Sequence, residues 1–100
     1  MYGLIGRFKA KPGQRDALIA AMLDDDTKIP GCYSFVVATD PSDADVVWIT
    51  EVWDSQASHK ASLEMPSVKA SIARAMPLIA GIDRHIETLP VGGIGLPKRA

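Results

Sequence analysis

Long hydrophobic runs are missing from this 100-residue chain, and so is any cluster of basic residues: 11 Lys and Arg are scattered along it against 12 Asp and Glu. The first absence argues against a membrane-spanning helix, which takes about 20 consecutive apolar residues. The second argues against a nucleic-acid surface, which needs clustered basic side chains. Cysteine is nearly absent too. Cys32 stands alone and cannot form an intrachain disulfide, so a buried thiol in a reducing cytoplasm is expected. No basic segment leads into an apolar one at the start, so no signal peptide is expected. The only acidic cluster, Asp24-Asp25-Asp26, has no His or Glu at ligand spacing and reads as a solvated loop rather than a metal site.

What is present is a set of strands that are apolar on both faces. Val46 to Trp53 is rich in β-branched and aromatic residues and holds no Gly or Pro. Alternation puts Val46, Trp48, Thr50 and Val52 on one face and Val47, Ile49, Glu51 and Trp53 on the other. A strand with one wet face would alternate apolar with polar. Both faces of this one need cover, and a single domain of this length has few helices to provide it. One face is therefore expected to meet the chain's own helices, and the other a second subunit or a ligand.

The remaining elements follow in order. Residues 2–8 alternate as a strand with Tyr2, Leu4, Gly6 and Phe8 on one face, and a turn is expected over Lys9 to Gly13. Gln14 to Leu23 reads as a helix with an Ala17, Leu18, Ala21 and Met22 stripe. Ile29-Pro30-Gly31 is a turn. Cys32 to Ala38 is a strand with Tyr33, Phe35 and Val37 on one face and Cys32, Val36 and Ala38 on the other. The turn-rich loop from Thr39 to Asp45 makes a hairpin to the next strand. Asp54-Ser55 can cap a helix that carries His59 and breaks near Met65-Pro66. Ser67 can cap a further helix with a Val68, Ile72, Ala75, Met76 and Ile79 core stripe, ending near Pro77. Gly81 closes it, and Asp83 to Leu89 is the last strand. This order predicts an α+β, ferredoxin-like β-α-β-β-α-β domain over residues 1–90: an antiparallel four-stranded sheet with helices on one face. Residues 91–100 read as a flexible tail. The uncovered face predicts a homodimer.

The Lys11-Pro12-Gly13 turn, Gly31-Cys32 opening the second strand, Glu51-Val52-Trp53-Asp54-Ser55 closing the third and a His on the next helix resemble the antibiotic biosynthesis monooxygenase superfamily. The resemblance spans roughly residues 2–89 and implies a small dimeric α+β barrel. Some members oxidise aromatic quinols with O₂ and need no cofactor, because a deprotonated phenol can pass an electron to O₂ directly. It implies that Trp53 matches the strand-three Trp of the actinorhodin-type enzyme. His59 falls where that enzyme has a Tyr, and Ile49 where it has an Asn. Ser62 falls where many members carry a helix His. Haem-degrading members resemble the chain less.

The candidate site is then His59 as base or donor, with Trp53, Tyr33, Glu51, Ile49 and Arg7 around a small aromatic ligand, and no metal or cofactor. Each has a plainer reading. Trp53 and Trp48 can be packing alone. Glu51, if buried, can be a structural ion pair with Arg7 or Arg84. His85 reads as a surface or interface residue. The alternative to an oxygenase is a non-catalytic dimeric domain that binds a small aromatic molecule or does structural work.

Overall fold

The structure, a computed structural model, describes residues 1–24 and 28–97. The chain runs β1 (Tyr2–Ala10), α1 (Arg15–Leu23), β2 (Cys32–Thr39), β3 (Val46–Trp53), α2 (Gln56–Ser62), α3 (Pro66–Ala75), a 3-10 turn (Met76–Leu78) and β4 (Ile79–Thr88). The four strands form one sheet in the order β2-β3-β1-β4 with every neighbouring pair antiparallel, the expected ferredoxin-like arrangement. No helix among the described residues is long and apolar enough to cross a membrane.

Register assigns the faces. Tyr2 lies opposite Trp53, Leu4 opposite Glu51, Gly6 opposite Ile49 and Phe8 opposite Val47. These residues form the side that the helices cover, as alternation predicts. Two apolar clusters sit on it. Ala10, Leu18, Ala21, Val47 and Ala75 pack under α1 and α3. Tyr2, Leu4 and Trp53 form the second, with Ile29 and Cys32 against them. Leu18 is fully buried, which stabilises the fold by about 1.5–3 kcal/mol. The other side carries Ile5, Arg7, Trp48, Thr50, Val52, Val36 and Ile86, and both apolar clusters lie on the opposite face, so among the described residues no helix packs a core against it. Val36 and Ile86 there are 52% and 43% exposed.

Several boundaries differ from the sequence expectation. Lys9 and Ala10 continue β1 instead of turning, because Lys9 pairs with Val46 and Gly81, and Ala10 with Ile79. β4 therefore begins at Ile79, and Gly81 lies inside it. Irregularities between Arg7 and Phe8 and between Lys9 and Ala10 absorb its extra residues. Ser67 is not a cap: α3 starts at Pro66 after Met65, and the ring's missing N–H falls where no helical partner exists anyway. The stripe on α3 is only partly core. Ala75 is buried, but Ile72 and Met76 are 41% and 59% exposed, because the helix leans on α1 and ends where Pro77 forces the 3-10 turn.

A bulge makes the largest change. β2 pairs Cys32 with Trp53 and Ser34 with Val52, so Tyr33 is an extra residue with no partner. Cys32 thereby joins Phe35 and Val37 on the helix side, where alternation alone put it opposite them. Asp24 is exposed and ion-paired with Arg74. The rest of the acidic triplet, Asp25 and Asp26, lies outside the described residues, as do the last three residues of the tail segment, 98–100.

Candidate functional site

Two of the sequence elements behind the family resemblance, Gly31-Cys32 and the end of β3, meet at one corner. Gly31 has φ +81, a left-handed conformation that glycine adopts without strain. Its carbonyl accepts the Asp54 N–H at 2.8 Å. A Cβ on Gly31 would sit 2.6 Å from Ser58 Oγ, so the close approach itself needs glycine. Ser55 caps α2, its Oγ accepting the Ser58 N–H at 3.2 Å. The cap sets α2 across the end of β3 and brings His59 back over the sheet. Ser58 and Ser55 also hydrogen-bond the Asp54 carboxyl and hold it below its usual range.

His59 lands between two aromatic rings. Its ring centroid is 5.3 Å from that of Trp53, edge-on at 69°, and 5.8 Å from that of Tyr2. Trp53 is 2% exposed, and its Nε1–H donates to Glu51 Oε1 at 3.0 Å. Glu51 is half-buried, and burial pushes its carboxyl up, opposed by the Trp53 hydrogen bond and by the nearby charge of His59 and His85. Tyr2, at the edge of the same group, has its phenol pushed up by burial and by the Glu87 carboxylate beside it. Cys32 is raised by burial and by the charge of Glu51. Glu51 and Ile49 lie between the two apolar clusters on β3, opposite Leu4 and Gly6 of β1. Gly6 offers no side chain there, and the ring of Phe8 folds back over it.

Trp53, Glu51 and Ile49 thus stand on one side of the sheet, as alternation along β3 placed them, and His59 joins them there from α2. Two candidates stand elsewhere. Arg7 is on the uncovered side, ion-paired to Asp83 and 5.7 Å from the centre of the Trp48 ring. Register puts Arg84 on that side as well, opposite Arg7. The expected Glu51–arginine pair is therefore ruled out: the sheet lies between the charges. Tyr33, unpaired at the bulge, is 40% exposed and makes no ring contact with Trp53 or His59 among the described residues. Ser62 is buried, and its Oγ donates to the His59 carbonyl at 2.6 Å, which satisfies the hydroxyl within α2.

Sequence reasoning passed over three residues that belong to the group. Tyr2 was read as strand packing, and its alternation with Leu4 was the available signal. His85 and Glu87 lie within the expected last strand, but their place opposite Gly6 and Leu4 comes from the β1–β4 register, which no local pattern gives. No group of three or more His, Cys, Asp or Glu that could hold a metal ion occurs among the described residues.

The family model for antibiotic biosynthesis monooxygenases matches residues 1–74, and the chain belongs to that family. A solved structure described as a candidate antibiotic biosynthesis monooxygenase from Chloroflexus aurantiacus is 60% identical, covers 96% of this chain and 98% of its own, and has a TM-score of 0.92. Candidate members from Nitrosomonas europaea (16% identity, 94% and 99% coverage, TM-score 0.77) and Deinococcus radiodurans (20%, 94% and 96%, TM-score 0.74) share the fold. No curated protein matches the sequence.

Proposed function

We propose that the chain is a cofactor-independent monooxygenase of a small aromatic quinol or phenol. The observation that carries this reading is the grouping of Trp53, Tyr2 and His59 around a half-buried carboxylate. Aromatic walls suit a planar ring, and two proton-handling groups suit its hydroxyl. Family membership supports the same chemistry. His59 serves as base or hydrogen-bond donor to the ligand oxygen, while Trp53 and Ile49 shape the pocket. Removing the hydroxyl proton makes an electron-rich anion that can reduce O₂. One oxygen atom enters the ring and the other leaves as water, with the quinol supplying all four electrons.

The active form in this reading is a homodimer in a reducing cytoplasm, joined through the uncovered sheet face. Ile5, Trp48, Val36 and Ile86 supply its apolar contacts. Light scattering at working concentration tests this part, and a monomer would remove it. Oxygen uptake with a panel of reduced quinones, native against His59→Ala, tests the activity. Uptake above autoxidation that falls in the variant is expected. Absence of uptake, with quinones still raising the melting temperature, would favour the non-catalytic ligand-binding alternative.

A further inference from the structure

Glu51 is an expensive residue for a merely structural position. It sits between two apolar clusters, on the side of the sheet that the helices cover. The arginines that would neutralise it point the other way. Among the described residues it has no ion pair, and its one hydrogen bond is from the neutral Trp53 indole to Oε1. A half-buried carboxylate with one neutral donor is worse for stability than an apolar side chain of similar size. Oε2 takes no hydrogen bond from any described residue. The titratable groups around Glu51 come from four elements: Tyr2 on β1, Cys32 on β2, His85 on β4 and His59 on α2, with Glu87 of β4 beside Tyr2. Two of these are imidazoles, which can pass a proton on.

We propose that Glu51, fixed through Oε1 by the Trp53 indole, is the group that takes the ligand's hydroxyl proton, on Oε2. This rests on the reading that the site binds a phenol or quinol. The ligand O–H bond breaks, the proton goes to Oε2 to give a neutral carboxylic acid, and the electron pair stays on the ligand oxygen. His59 is then the donor that steadies the resulting anion, and His85, on the exposed edge strand, is the outlet for the proton. Burial raises the Glu51 carboxyl and so narrows its gap to a phenol.

Two measurements on the full chain test this, with Glu51→Gln chosen because a glutamine oxygen still accepts from Trp53. The first uses 4-nitrophenol, whose anion is coloured, at a mildly acidic pH where the free dye is mostly neutral. Binding to the native protein is expected to produce the anion's colour, and binding to Glu51→Gln is expected not to. Equal colour in both, or loss of colour in His59→Ala with Glu51→Gln unaffected, would overturn the assignment. The second is oxygen uptake with a reduced naphthoquinone. Glu51→Gln should lower kcat about a hundredfold with KM within about threefold, and should remove the acidic limb of the pH profile. An unchanged rate and profile would overturn the proposal. No uptake by the native protein would defeat the oxygenase reading alone, and the dye result would still decide the role of Glu51.

Discussion

Each face of the sheet carries one tryptophan whose indole donates to a carboxylate, and the two pairs behave in opposite ways. On the uncovered side, Trp48 Nε1–H reaches Asp40 Oδ2 at 2.8 Å. Asp40 also accepts from the Ser42 backbone and hydroxyl and from the Asp43 N–H. These donors pull its carboxyl down to about 2. On the helix side, Trp53 gives Glu51 the same kind of hydrogen bond, yet Glu51 is shifted up, because burial outweighs a single donor. An indole partner does not decide the charge of a carboxylate; water and the number of further donors do. The loop at Asp40 is a well-satisfied structural turn, and the Glu51 site keeps unused hydrogen-bonding capacity.

The largest test of this contrast is truncation of each indole. Trp53→Ala should lower unfolding free energy by about 3–5 kcal/mol, since the ring is buried. Trp48→Ala, half-exposed, should lose less than about half as much, by urea titration. Comparable losses would mean that the two faces are equally covered, as an obligate dimer in the titration would make them.

The corner that holds Trp53 is the next point of attack. Gly31→Ala should destabilise by about 1–3 kcal/mol, from left-handed strain plus the clash with Ser58 and Asp54. Gly13→Ala, also at positive φ (+76) but with open space around it, should show the strain alone, about 1 kcal/mol.

The protonation contrast is sharpened by pH. Glu51 has a raised folded pKa, so the stability it removes is absent below its unfolded value, about 4, and grows as pH rises through the folded value. Glu51→Gln should therefore gain on the native protein between acid and neutral pH. Asp40 has a lowered folded pKa, so its contribution is present above about pH 4 and fades as pH falls towards 2. Asp40→Asn should be weaker at neutral pH and draw level in acid. Differences that stay flat with pH in both variants would break the contrast. The smallest effect is expected from Arg7→Ala, less than about 1 kcal/mol in the monomer, since Asp83, its ion-pair partner, is half exposed.

Alternation along β3 was enough to separate the two tryptophans and to place Ile49, Glu51 and Trp53 together, because a strand's period of two leaves no freedom. Asp54-Ser55 marked the start of α2, because a cap is a local hydrogen bond. The site was legible where it rests on β3 and that cap. It was not legible where it depends on registers between distant strands. The bulge at Tyr33 turned Cys32 inward, and the β1–β4 register set His85 and Glu87 opposite Gly6 and Leu4 on the helix side.

The sequence by itself determined the number and order of the strands, the first helix, the break at Pro66 and the two-faced apolar character of β3, since all of these follow from neighbours a few residues apart. Only the tertiary structure decided that Glu51 has no arginine, that Tyr2 joins His59 and that Arg7 belongs with Trp48. Those facts turn on which residues face each other across strands, and a single inserted residue in a ladder reverses the facing of everything beyond it.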